Sequence, residues 1–149
     1  MAYKSTKKLG PISVGHRQWK DQGHCAWVHG YGRYIQFTFE GELDHRQWVM
    51  DFGDQRDVKQ WLEDQWDHRL LLASDDPHIS DFEKMHELGT MNINIMDVTK
   101  GWGPGIEASC KFVFDHVSPL IDKKTEGRVK LVQVEIWEHE RNSAVYTSV

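Results

Sequence analysis

HCAWVHGYGRYIQFTFEGEL, residues 24–43, sets a thiol at Cys25, an imidazole at His29 four residues on, then a glycine and a phenol at Tyr31. From His29 the residues alternate as an extended chain does. One face carries His29, Tyr31, Ile35, Phe37 and Phe39, and the other Tyr34, Gln36, Thr38 and Glu40. The apolar face is the one to bury, so the polar groups that open it need partners. Ordinary core hydrogen bonds would serve, and so would a metal or a bound substrate. The spacing predicts one long strand over residues 29–43.

Upstream, residues 1–10 read as a polar lead-in ending at Gly10-Pro11, and Ile12 to His16 as a short strand that finishes on a histidine. A polar loop, residues 17–24, then delivers Cys25. Downstream, residues 41–47 are turn-rich, Trp48-Val49-Met50 reads as a short extended piece, and Asp51 stands where a helix cap would. Val58, Trp61, Leu62, Gln65 and Trp66 recur at helical spacing and predict a helix over 54–66, which runs into Asp67-His68. Residues 73–103 are less regular, with a short helix over 79–88 and a weak strand over 91–96. The glycine-rich turn at 101–105 lacks the Lys-Ser/Thr of a phosphate-binding loop.

Ile106, Cys110, Val113, Phe114, Val117, Leu120 and Ile121 mark a second amphipathic helix, on which Cys110 is a small core residue. Val129 to Trp137 predicts a strand with Val132, Val134, Ile136 and then Glu138 in phase, and Ala144 to Tyr146 a last one. The order strand, strand, helix, helix, strand, strand gives an α+β expectation: an antiparallel four-stranded sheet with two helices on one face, in one domain spanning 1–149.

At 149 residues the chain can bury a core without metal or disulfide staples, and its two cysteines make no disulfide framework. A reducing, cytoplasmic setting is therefore expected. No apolar run is long enough for a membrane span, and the N-terminal residues lack the apolar core of a secretory signal. Net charge of −5 argues against a nucleic-acid-binding surface. The seven tryptophans read as core and subunit packing.

Taken together, these landmarks resemble the 6-pyruvoyltetrahydropterin synthase family, above all its bacterial 6-carboxytetrahydropterin synthase branch. That family carries a catalytic Cys shortly before His-Gly-His, whose histidines bind zinc; here these are Cys25, His29 and, in place of the second histidine, Tyr31. The three-residue gap between Cys25 and His29 is similar to the carboxy-type enzymes. His16-Arg17 stands at the family's first zinc-ligating histidine, Asp67-His68 at its acid–base pair, and Glu138 at its pterin anchor. Glu107 matches the glutamate that opens the second helix. The two hydroxyl residues before that glutamate are Gly105 and Ile106 here.

The resemblance implies a tunnelling fold assembled as a homohexamer, a dimer of trimers. It implies a pterin substrate, 7,8-dihydroneopterin triphosphate, in the route to 7-deazaguanine (queuosine-type) bases. It also implies zinc held by His16, His29 and the residue at 31. A phenol must lose its proton to ligate, from an ordinary pKa near ~10, so three arrangements stay open: Tyr31 ligates, His24 substitutes, or the metal is weak or absent. Cys25, Asp67 and His68 would form the proton-transfer set, although Asp67-His68 alone also fits a helix-terminal pair. Glu138 and Glu107 would hold the ring. The alternatives are pyruvoyl-type triphosphate elimination and a pterin- or purine-binding protein without turnover.

Overall fold

In the computed structural model, which describes residues 3–148, the long strand is β2 (His29–Gly41). Ile35, Phe37 and Phe39 are fully buried on its inner face, and Arg33, in the same phase, is fully buried with them. β1 (Tyr3–His16) runs antiparallel beside it, with His16 opposite His29 and Val14 opposite Tyr31. On the other side β2 pairs with β5 (Val129–His139), which pairs with β6 (Asn142–Thr147), both antiparallel.

The expected antiparallel four-stranded sheet with two helices is corrected here. The sheet has six strands in the order β4-β3-β1-β2-β5-β6, because β3 (Arg69–Ala73) and β4 (Ile93–Met96) add to β1 in parallel. Alternation could not reveal β3: Leu70, Leu71, Leu72 and Ala73 are all buried, so the strand reads as one apolar run. A parallel neighbour needs a crossover, supplied by α2 (Ile79–Glu87), which buries none of its residues and is the third helix.

β1 also starts at Tyr3, not Ile12. Gly10-Pro11, which reads as a break, is a bulge: Leu9 faces Ile35 and Ile12 faces Arg33, so β1 spends one residue more than β2. Gly10 has φ +121 and lies where a Cβ would strike the Arg33 carbonyl, which is why the bulge takes glycine. β5 has the same device at Val132, since Thr38 faces Gln133 and Phe39 faces Leu131. The bulge puts Val129 and Leu131 on the same buried face as Val134 and Ile136, leaving Val132 only half-buried. Residues 48–50 form no strand, although Val49 and Met50 are buried.

α1 (Arg56–Trp66) follows a short 3-10 turn capped by Asp51, whose side chain accepts from the Gly53 N–H. It buries Val58, Leu62 and Trp66. α3 (Ile106–Lys124) buries Ile106, Cys110, Phe112, Val113, Val117 and Ile121. Trp61 and Trp66 of α1 stack on Phe112 of α3, with ring centroids 5.5 and 6.0 Å apart, so the two helices share one core against the sheet. Among the described residues no helix is long and apolar enough to cross a membrane.

Candidate functional site

This topology gathers chemistry-bearing residues at one end of the sheet. β1 and β5 finish there, on His16 and Glu138–His139; β2 and β6 begin there, and so does α3. Between them lies a cavity of about 560 Å³, lined by His16, Gln18, Cys25, His29, Tyr31, Glu107 and Glu138 among others. An apolar groove of about 500 Å³, lined by Leu43, Trp48 and Phe52, contains neither His nor Cys. The cavity with the imidazoles is the candidate site.

His16 and His29 are cross-strand partners, so their rings meet with centroids 4.5 Å apart. Tyr31 completes a triangle, 5.5 Å from His16 and 5.4 Å from His29. His16 is 3% exposed, and neither of its ring nitrogens has a hydrogen-bond partner. Burial, then the charges of Arg33 and His29, push its pKa down to about 3, so the ring stays neutral. His29 donates from Nδ1 to the Trp27 carbonyl at 2.6 Å, which fixes the tautomer and leaves Nε2 with a free lone pair. A buried neutral imidazole without partners, facing a second one oriented from behind, fits a metal ion.

The third position fits less well. Among the described residues no three His, Cys, Asp or Glu side chains are grouped to hold a metal. His24 is exposed in the turn before Cys25 and lies outside the cavity lining, so the structure does not bring it in. Tyr31 is in place, but its phenol is pushed above its ordinary pKa by burial, then by Glu138 and Cys25, with Arg33 pulling the other way. Without a metal beside it, it therefore holds its proton. Tyr31→His is expected to raise zinc affinity at least about tenfold, as read by chelator competition, because a neutral imidazole replaces a protonated phenol. No gain would mean that position 31 does not point a ligand at the metal.

Cys25 sits half-buried in a 3-10 turn, and its carbonyl accepts from the Gln18 N–H at 2.8 Å. The loop is pinned further out, where Arg17 forks onto buried Asp76 (Nε–Oδ2 2.8 Å) and Trp19 donates to Asp75. Glu138 lines the opposite wall and accepts from Asn142 Nδ2 at 3.1 Å. Glu107 enters from the first turn of α3. Asp67 and His68 are paired with each other (Oδ2–Nδ1 3.2 Å) but are not brought into this cavity. They precede β3, whose Leu71 is the residue beside His16, and His68 is tied back to Ser13.

Arg33 is what the sequence reading passed over. It donates to Ser109 Oγ (2.9 Å) and to the Pro104 carbonyl, and its guanidinium lies 5.1 Å from the Trp66 ring centre. Burial lowers its pKa to about 10. It thus ties the start of α3, and with it Glu107, to the strand that carries His29 and Tyr31. Its parity with Ile35 and Phe37 was the signal that could have found it.

Along nearly its whole length the chain is similar to known proteins. The pattern of the family described as PTPS, 6-pyruvoyl tetrahydropterin synthase, matches residues 6–148. A 6-carboxy-5,6,7,8-tetrahydropterin synthase of Aquifex aeolicus is 25% identical over 153 residues, covering 91% of this chain and 92% of that protein. A probable 6-carboxy-5,6,7,8-tetrahydropterin synthase of Halobacterium salinarum is 37% identical over 73 residues, 49% of this chain and 46% of that one. Among solved structures, an uncharacterized protein of Wolinella succinogenes superposes with a TM-score of 0.83 at 19% identity, covering 99% and 98% of the two chains. The 6-pyruvoyl tetrahydropterin synthase of Caenorhabditis elegans gives 0.65 at 16% identity, over 99% and 96%. These two likenesses speak to the fold.

Proposed function

The chain belongs to the 6-pyruvoyl tetrahydropterin synthase family, and from that premise we propose that it is a 6-carboxytetrahydropterin synthase-type lyase acting on 7,8-dihydroneopterin triphosphate. The observation that carries this reading is the meeting of Cys25, His16, His29 and Glu138 around one cavity. The carboxy-type product is favoured by the names of the curated relatives and by the short step from Cys25 to His29. We place the reaction in the cytoplasm, where Cys25 stays reduced, in the supply of 7-deazaguanine (queuosine-type) bases.

Glu138 holds the ring, because an ionised carboxylate accepts from a ring N–H and an exocyclic amine side by side. His16 and His29 would hold zinc, which would supply a Lewis acid for the hydroxylated side chain of the substrate. Cys25 takes a proton from that side chain. His68, oriented by Asp67, moves the second proton. Since Asp67 and His68 lie outside the cavity of their own chain, a second copy must deliver them. Trp27, 73% exposed two residues after Cys25, suits burial in such a contact, and a hexamer of two stacked trimers is the assembly we propose.

Mass analysis of the product from 7,8-dihydroneopterin triphosphate separates the carboxy-type from the pyruvoyl-type reaction. An intact substrate after prolonged incubation with zinc would leave a binding protein, the reading that the protonated phenol at Tyr31 favours. Mixing inactive Cys25→Ala with inactive His68→Ala chains after partial dissociation is expected to restore activity, since some cavities then receive both groups. No recovery in verified mixed oligomers would mean that a second copy does not deliver His68 to the cavity.

A further inference from the structure

The hydroxyl side chains that the family resemblance leads one to expect at 105 and 106 are absent, and the structure shows what stands in their room. Gly105 has φ −66 and ψ 156, which any L-residue adopts, so the backbone does not call for glycine. Space does. A Cβ at 105 would overlap the Gln18 carboxamide nitrogen and lie 3.2 Å from Gln18 Cδ, with Glu107 Oε2 3.6 Å away. The side chain of Gln18 has crossed from the loop after β1 to fill the place beside Glu107.

Gln18 is held firmly at its backbone, donating to the Cys25 carbonyl (2.8 Å) and accepting from the Asp21 N–H (3.0 Å). Among the described residues its carboxamide makes no hydrogen bond to protein, and it lines the cavity with Cys25, His29 and Glu138. A free amide offers an N–H donor, which a carboxylate cannot. Glu107 and Glu138, when ionised, only accept. A ring carbonyl lying near Glu107 therefore needs a donor, and Gln18 Nε2 is the atom placed to give one.

We propose that Gln18 is a specificity-determining residue of this cavity: its carboxamide Nε2 donates to the ring carbonyl of a bicyclic heterocycle whose own N–H and amine donors are taken by the carboxylates. The proposal rests on the pterin reading above and deepens it. Gly105 is then the partner of Gln18, kept small so that the amide can reach the ring.

The test is binding of neopterin and of its 2,4-diamino analogue, which keeps the same side chain and carries an amine in place of the ring carbonyl, to the intact protein by titration calorimetry. Wild type is expected to favour neopterin. Gln18→Met keeps the volume and removes the hydrogen bonds, so neopterin should bind about tenfold more weakly, with unchanged melting temperature and no change for the diamino ring. Gln18→Glu replaces the donor by an acceptor and should turn the preference toward the diamino ring. A Gln18→Met variant that binds neopterin like wild type would reduce Gln18 to a space-filler and overturn the proposal while leaving the pterin reading standing. A wild type that binds neither ring would overturn both.

Discussion

Cys25→Ala is expected to lower turnover by about 10²–10⁴-fold, the range for loss of a positioned proton-transfer group, while the affinity for neopterin and the melting temperature stay near wild type. The thiol sits in a short turn whose backbone is fixed by the bond from Gln18, and the side chain is not part of the core. Removing sulfur therefore removes chemistry and little else. Cys110 is the internal control. It is fully buried, donates to the Ala144 carbonyl, and burial pushes its pKa up to about 12. Cys110→Ala should cost stability and leave the rate alone. Turnover of Cys25→Ala within about threefold of wild type would take proton transfer away from this thiol.

The second large effect is on stability in acid, in metal-free protein. The His16 ring titrates at about 3 when folded and at about 6.5 in an unfolded chain. Between these values the unfolded state binds a proton that the native ring refuses, so stability rises with pH across the window and is lost as pH falls through it. At about 1.4 kcal/mol per pH unit this amounts to roughly 4–5 kcal/mol between neutrality and pH 3. Acidic side chains add their own pH dependence, so the informative quantity is the difference from His16→Leu, which has no ring to protonate. The urea midpoint of wild type should fall more steeply from pH 7 to pH 4 than that of the variant. Parallel slopes would mean that His16 is not held neutral by its surroundings.

How much of this could be read from the residues depends on what each position reports. Alternation revealed β2, and helical spacing revealed α1 and α3, because each of these elements has one wet face and one dry face. β3 has no wet face among Leu70–Ala73, and the pattern that identifies a half-buried strand is absent from it by physics. The start of β1 was hidden for a different reason: Gly10-Pro11 carries the local signature of a break, and only the partner strand turns it into a bulge. At the site, alternation put His29 and Tyr31 on one face and Glu138 in phase with Ile136, whereas His16 was read from its place at a strand end and from the family resemblance. Asp67 and His68 could not be placed by alternation, since their position depends on where β3 docks beside β1. Gln18 was invisible because its role is defined by the absence of a side chain at Gly105, eighty-odd residues away.

The two bulges give the sheet a property that matters to anyone who would re-engineer it. β2 is the uninterrupted ruler, and its neighbours β1 and β5 each carry a slack residue part-way along. A length change in the half of β1 before Leu9 can be taken up at Gly10-Pro11 without moving His16 from opposite His29. The far end of the sheet is thus the place to try grafts and tags, and the end with the imidazoles keeps its own register.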